Sequence, residues 1–198
     1  MKIEATAVIM AGGKSLRMGF DKQEIKINEK NLVHIQADIL GEIFNEVIII
    51  SNKPELYKNY HLNVYKDMIK DQGPLGGIHS ALVNSSNYYN YFIACDMPNI
   101  NTEYIKYIYE IIFEDKSKNG IVAKLNDWIE PFNSFYTKNL IESIEIHLKN
   151  GKRSVFSLLK KNKIIYLEEE AVREFSSDWS MFDNLNTHHE LSEYYLKI

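Results

Sequence analysis

The strongest constraint on this chain lies near its start, where the largely apolar run Ala5 to Met10 stops abruptly on Ala11-Gly12-Gly13. A run without a polar face reads as a strand buried on both sides, and a glycine pair directly behind it closes a tight turn. Such a strand belongs inside a parallel sheet, which requires crossover helices on its faces. The following segments supply that alternation. From Asn31 to Phe44, Leu32, Ile35, Ile39, Leu40 and Ile43 recur at helical spacing, and Val47 to Ile50 is again a continuous apolar strand.

The pattern continues with a strand over Asn63 to Tyr65, a helix from about Gly77 to Val83, a strand over Tyr91 to Cys95, and a helix opened by Thr102. Ile105, Ile108, Tyr109 and Ile112 form the apolar stripe of that helix. Beyond Gly120, Ile121 to Lys124, Asn133 to Tyr136 and Ile164 to Leu167 read as strands, and Asn139 to Lys149 reads as a helix. Thr187 with Glu190 three residues later predicts a capping box for a last helix through Leu191, Tyr194 and Tyr195. The expected fold is α/β: a Rossmann-like, mainly parallel sheet with helices on both faces, its site at the carboxyl ends of the strands.

With 198 residues and no repeat, low-complexity tract or linker, the chain is expected to form one domain over residues 1–198. A net charge of -4, with Lys and Arg dispersed, offers no broad basic field for nucleic acid, so basic clusters must serve small anions. No apolar run approaches the ~20 residues of a membrane span, and no export signal is visible. The single cysteine, Cys95, has no disulfide partner, which points to a reducing, cytoplasmic setting. A monomer fits these features.

The segment Ala11 to Lys22 packs three glycines and three cations, Lys14, Arg17 and Lys22, into twelve positions. Gly12 and Gly13 let backbone N–H groups approach phosphate oxygens, and Arg17 and Lys22 can neutralise a triphosphate. The Walker pattern fails because Val8 stands where its first glycine belongs, and G-x-G-x-x-G fails at Lys14. An ordinary strand-to-helix turn with solvated charges is the plain alternative.

Asp67 precedes Gln72-Gly73-Pro74-Leu75-Gly76-Gly77, which reads as uncovered backbone able to lie against a base or ribose, or as a turn before a helix. The Tyr91 to Cys95 strand delivers Asp96, then Met97-Pro98. A carboxylate at the end of a buried strand suits Mg²⁺ beside phosphates, although it also suits capping of the next loop. Cys95 points away from Asp96 and reads as core. His188 and His189 diverge on a helix and cannot share a metal, and the pairs Tyr88-Tyr89 and Tyr194-Tyr195 are explained by packing.

The segments VIMAGGKSLRMGFDK, GPLGGI and ACDMP, in this order and spacing, resemble those of the molybdenum cofactor guanylyltransferase family, also called the molybdopterin-guanine dinucleotide biosynthesis protein A family. Gly151-Lys152-Arg153-Ser154 and Phe182-Asp183-Asn184-Leu185-Asn186-Thr187 are similar to that family's later segments. The resemblance implies a nucleotidyltransferase that joins GMP from GTP to molybdopterin and releases pyrophosphate. It implies Met10, Ala11 and Gly12 along the nucleotide, Lys22 on its phosphates and Asp67 on the nucleoside side, with Asn52 after the second strand a lesser candidate; the glycine-rich backbone itself adds Gly13, Gly73, Pro74 and Leu75 to the nucleotide-binding set. Asp96 would hold Mg²⁺ and GTP, and Arg17, Lys22 and Asp96 would form the catalytic set. Arg153, Ser154, Asn184 and Asn186 are acceptor candidates, or else caps of local turns. The N-terminal half would bind nucleotide and the C-terminal half would face the acceptor.

In the expected reaction the acceptor's terminal phosphate attacks the α-phosphorus of GTP in line. The resemblance also implies transient contacts with cofactor-synthesis proteins or molybdoenzymes. The sequence departs from the family pattern at Met10, where Leu is usual, and at His188, where Pro is usual. A cytidylyltransferase on the same pterin is an alternative, although Ala11-Gly12-Gly13 in place of Ala-Ala-Gly favours guanine. A sugar-phosphate nucleotidyltransferase is another, and a carrier of nucleotide or pterin without turnover is a third, against which Arg17, Lys22 and Asp96 argue.

Overall fold

The computed structural model describes residues 2–12 and 21–197. The first strand, β1, spans Ile3–Met10, and its alternate residues feed opposite cores: Ala7 and Ile9 enter one, Val8 and Met10 the other. That alternation is why the run carries no polar face. A small antiparallel hairpin follows, β2 (Lys26–Ile27) and β3 (Lys30–Asn31), turned by Asn28 and Glu29 at positive φ.

Asn31 then caps α1 (Leu32–Ile43), accepting a hydrogen bond from the Val33 N–H, and β4 (Phe44–Ile50) returns alongside β1. Beyond it lie β5 (Asn63–Tyr65), α2 (Pro74–Asn84), β6 (Tyr89–Ala94) and α3 (Thr102–Glu114). The cap of α3 is Asn101, whose side chain accepts from the N–H groups of Glu103 and Tyr104. Thr102, expected to open this helix, is its first helical residue instead. An Asx cap reaches two free N–H groups here, and Asn leads the cap preferences.

The second half contributes β7 (Gly120–Leu125), β8 (Trp128–Thr137), α4 (Leu140–Lys149), α5 (Val155–Leu159), β9 (Ile164–Leu167), α6 (Glu169–Arg173) and α7 (His188–Lys197). The sheet runs β5-β4-β1-β6-β8-β7-β9. Strands β5, β4, β1 and β6 are mutually parallel, β8 is antiparallel to both its neighbours, and β9 is parallel to β7. The chain winds outward from β1 to β5 and then crosses to β6 on the other side of β1. This reversal opens a crevice at the carboxyl ends of β1 and β6.

The expected strand over Asn133 to Tyr136 is the second half of a longer strand. Its first half was hidden by an irregularity at Asn133, which takes φ 57 where the β7–β8 register slips. Buried Asn133 accepts from Tyr91 Oη and donates to the Met181 carbonyl, so the bulge is held by side-chain bonds that alternation does not report. The capping box of α7 is also modified. Thr187 Oγ1 accepts from the Glu190 N–H, while Glu190 Oε2 accepts from the N–H of Asn186 rather than from that of Thr187.

Candidate active site

The turn after β1 is pinned from both neighbours, with the Ala11 N–H donating to the Ile50 carbonyl at 2.9 Å and the Cys95 N–H donating to the Met10 carbonyl at 3.1 Å. Met10 and Ala11 are buried, and Gly12 emerges exposed at the sheet's carboxyl edge. A Cβ at Gly12 would meet nothing closer among the described residues than the Ile50 carbonyl oxygen at 3.9 Å, so their packing does not account for the glycine. Gly13 and Arg17 lie outside the described residues.

Lys22 occupies the centre of this edge. Its ammonium donates to Asp96 Oδ2 and, at 2.6 Å, to Asn186 Oδ1. The Asp96 side chain is 6% exposed and that of Lys22 is 25% exposed, so the pair sits largely out of water, where a hydrogen-bonded ion pair is strong and a broken one costly. Three residues expected in the site therefore meet, from segments 74 and 164 positions apart. Asn186 reaches this point because the Leu185 N–H donates to the Asp96 carbonyl at 2.8 Å, laying the C-terminal segment across the end of β6. Asn184 lies just behind, donating to the Phe182 carbonyl and accepting at its own carbonyl from Asn186 Nδ2.

Buried Gln36 of α1 holds the turn that carries Asp96, donating to the carbonyls of Ala94 at 2.9 Å and Met97 at 2.8 Å. Buried Gln23 does the same for the Lys22 segment, accepting from Ser51 Oγ at 2.5 Å and Tyr57 Oη at 3.2 Å. Lys53 adds a cation at this edge, 2.6 Å from Asp21. Burial works to raise the Asp21 carboxyl, but the bonds from Lys53 and Gln23 outweigh it and hold the group below its ordinary value. Sequence reading missed Gln23, Gln36 and Lys53, since a glutamine inside a helical stripe carries no signal of what it will meet. Cys95 is buried, and burial together with the Asp96 charge pushes its thiol well up, as befits a core residue.

Asn52 and Asp67 follow β4 and β5, and they bond each other twice. Asn52 Nδ2 donates to Asp67 Oδ2 at 2.8 Å, and the Asp67 N–H donates to Asn52 Oδ1 at 3.2 Å. The glycine-rich segment after them departs from expectation. Helix α2 begins at Pro74, not Gly77, and only Gly73 and Pro74 are exposed. Gly73 takes φ 60, ψ -150, a conformation essentially reserved for glycine. Leu75 is fully buried in the core, so its side chain does not face the crevice. Gly76 and Gly77 are packing glycines: a Cβ would stand 2.8 Å from the Ile69 carbonyl oxygen at the first and 2.4 Å from Met10 Cε at the second. Pro pre-sets the first helical φ, which is why the helix starts where the sequence looked like a turn.

Ser154 caps α5, accepting from the Ser157 N–H at 3.2 Å, and Arg153 beside it is exposed. Both follow α4, which starts at the amino edge of the sheet, where Thr137 pairs with Tyr89, and runs back toward the carboxyl edge. They are not in the Lys22, Asp96 and Asn186 cluster. Next to Asn184 and Asn186 opens a cavity of about 630 Å³, and Asp178, Asp183, Glu190 and Glu193 give it an acidic wall.

A family model described as the MobA-like NTP transferase domain matches residues 7–165. The chain belongs to the MobA-like NTP transferase family. A probable molybdenum cofactor guanylyltransferase of Peptoclostridium acidaminophilum is 47% identical over 198 residues, covering 98% of this chain and 89% of the relative. A molybdenum cofactor guanylyltransferase of Syntrophotalea carbinolica is 44% identical over 189 residues, covering 96% and 90%. Among solved structures, molybdopterin-guanine dinucleotide biosynthesis protein A of Archaeoglobus fulgidus aligns with a TM-score of 0.84 at 22% identity, over 98% of this chain and 100% of that one. That likeness shows the MobA-like α/β fold, with its mostly parallel seven-stranded sheet. As a MobA-like chain the protein is a nucleotidyltransferase, and among the described residues no helix is long and apolar enough to cross a membrane.

Proposed function

We propose that this protein transfers GMP from GTP to molybdopterin, releasing pyrophosphate, with Mg²⁺ at Asp96. The observation that carries the reading is the Lys22 ammonium held between Asp96 and Asn186 at the switch point of the sheet. Relatives at 44–47% identity are named for guanylyl transfer to the molybdenum cofactor, which supports GTP and molybdopterin as the substrates. Among the described residues no three His, Cys, Asp or Glu side chains converge on a metal position. One buried carboxylate fits Mg²⁺ nonetheless, because that ion is commonly bound by one or two carboxylates and completes its shell with water and substrate phosphates. When bound, it supplies charge neutralisation on the phosphate oxygens.

The chain's own residues then bind and orient. Gly12, with room for more than a hydrogen, and Gly13 offer backbone N–H groups to the triphosphate, and Met10 and Ala11 form the floor beneath it. Lys22 exchanges its protein acceptors for phosphate oxygens, and Arg17 adds a second cation. The Asn52–Asp67 pair presents its free atoms to the nucleoside, flanked by the exposed backbone of Gly73-Pro74, with Leu75 anchoring that turn from the core. An oxygen of the acceptor's terminal phosphate forms a bond to the α-phosphorus, the bond from that phosphorus to the α,β-bridging oxygen breaks, and pyrophosphate leaves with that oxygen and the electron pair. Positioning and charge neutralisation carry such a transfer, with no covalent enzyme intermediate. Asn184 and Asn186 hold the acceptor's phosphate end, and Arg153 and Ser154 face the rest of the acceptor farther along the same edge. We read residues 1–198 as one domain, nucleotide-binding in its first half and acceptor-facing in its second, working in the cytoplasm.

The test is pyrophosphate release from GTP, Mg²⁺ and molybdopterin by the full chain and by Asp96→Asn and Lys22→Ala variants shown to be folded. We expect turnover in the wild type and losses on the order of 10²–10³ in each variant. Wild-type rates in both variants would remove these residues from the mechanism, and GTP protection without turnover in the wild type would make the protein a carrier.

A further inference from the structure

The acceptor in this reading is an anion with a flat fused ring at one end and a phosphate at the other. Asp178, Asp183, Glu190 and Glu193 keep such an anion out of the body of the cavity beside Asn186, leaving Asn184 and Asn186 to meet only its phosphate end at the Lys22 rim. A second hollow, of about 280 Å³, is apolar and lined by Asp127, Trp128, Ile129, Pro131 and Phe156. Its size lies near the lower end of the ~300–1,000 Å³ typical of ligand clefts, suiting a ring system rather than a whole dinucleotide.

Its place in the fold follows from register. Tyr89 pairs with Thr137 and Phe92 with Ser134, so residues of β8 before Ser134 run toward the carboxyl end of β6. The β7–β8 hairpin, closed by the Leu125–Trp128 pair, therefore stands beyond the sheet edge from which Asp96 emerges. The bulge at Asn133 re-aims this part of β8. Trp128 is 64% exposed and Phe156 38%, an unusual placement for two large aromatics sharing one hollow. The indole is fixed in spite of that exposure, because Trp128 Nε1 donates to Glu130 Oε1 at 2.6 Å.

The surroundings have the complementary charge. Lys160 stands 4.1 Å from the Phe156 ring centroid, and exposed Lys152 and Arg153 lie immediately before α5. Lys161 is crowded by Lys152, so positive charge concentrates around the helix that carries Phe156. Cations there draw a phosphate-bearing ligand to an aromatic surface. At the rim, exposed Asp127 can accept from the amino and ring N–H groups along one edge of a 2-amino-4-oxo heterocycle.

We propose that the hollow between the β7–β8 hairpin and α5 is the seat of the acceptor's fused ring, stacked on Trp128 and Phe156 with its amino edge on Asp127 and its phosphate directed along the carboxyl edge toward Asp96. This assignment rests on the guanylyltransferase reading, and it assigns Trp128, Phe156 and Asp127 to specificity for the acceptor.

The probe is 6-hydroxymethylpterin, whose absorption overlaps tryptophan emission, titrated into the full chain and into Trp128→Phe, Trp128→Ala and Trp179→Phe variants, with binding measured in parallel by equilibrium dialysis. We expect saturable quenching in the wild type and in Trp179→Phe. Trp128→Phe should retain binding within about threefold but lose most of the quenching, and Trp128→Ala should bind about tenfold more weakly, in line with the loss of one aromatic stack. In turnover assays Trp128→Ala should raise KM for molybdopterin while leaving KM for GTP unchanged. Equal pterin binding by Trp128→Ala and wild type, absence of saturable quenching in the wild type, quenching by Mg²⁺ and GTP alone, or a change in sedimentation of Trp128→Ala that marks a contact between copies would each overturn the subsite. Failure of wild-type turnover with intact quenching would instead sink the guanylyltransferase reading and leave the ring site standing.

Discussion

Lys22 owes its position to two acceptors from distant parts of the chain, Asp96 behind β6 and Asn186 before α7. At this scale identity and position separate cleanly. A lysine shortly after a glycine turn announces a phosphate contact, but nothing near it in sequence says that an asparagine 164 residues later will hold it. The glycines divide in the same manner. Gly73 is required by its own backbone angles, whereas Gly76 and Gly77 are required by neighbours, a carbonyl oxygen in one case and the tip of Met10 in the other. A backbone oxygen cannot step aside, while a methionine tip can rotate. We therefore expect Gly76→Ala to destabilise by about 1–3 kcal/mol and Gly77→Ala by less, measured as shifts in urea midpoint. A larger loss for Gly77→Ala would show that the α2–β1 contact is rigid.

At the scale of elements, apolar runs and periodicity located β1, β4, β6, β7 and β9 and the helices α1, α3 and α4, since each buries a face whose spacing is set by its own geometry, and the alternation around it located the short, half-exposed β5. It failed where side-chain bonds overrule spacing: at the bulge of β8, at the Asn101 cap, and at the start of α2, where proline begins a helix inside an apparent turn. Gln36 illustrates how such bonds serve the site, since α1 uses it to tie down the two carbonyls flanking the Asp96 turn. Replacing Gln36 with Leu should cost about 1–3 kcal/mol, because at least one of those carbonyls loses its partner away from water. Turnover should fall further than stability alone predicts as Asp96 loses its fixed direction. Unchanged kcat in a destabilised Gln36→Leu protein would reduce the residue to a structural tie.

For the molecule as a whole, two buried or half-buried histidines contribute to the loss of stability in mild acid, above the range in which carboxyls such as Asp21, Asp38 and Glu46 take up their protons. Burial lowers the His147 pKa below 6.5, with Lys161 and Lys152 adding to the effect, and burial likewise lowers that of His34. The unfolded chain therefore takes up these protons first as pH falls. The stability they contribute is fully present above 6.5 and is lost as pH drops from there through the depressed folded values. Urea midpoints should decline on going below 6.5, and His147→Gln, which can keep a bond to Ser157 Oγ, should flatten part of that decline. An unchanged slope in that variant would remove His147 from the decline below 6.5.

What the sequence determined by itself was local: alternating buried strands and amphipathic helices, a phosphate-seeking loop, and an acid delivered at a strand end, each written within its own short stretch of chain. Only the tertiary structure decided that Lys22 rests on Asp96 and Asn186, that Asn52 pairs with Asp67, that Gly77 makes room for Met10, and that Trp128 and Phe156 share a hollow beside a basic rim. Periodicity records which side of an element is buried, whereas the meeting of side chains depends on strand order, register and crossover, which are set by packing between segments far apart along the chain.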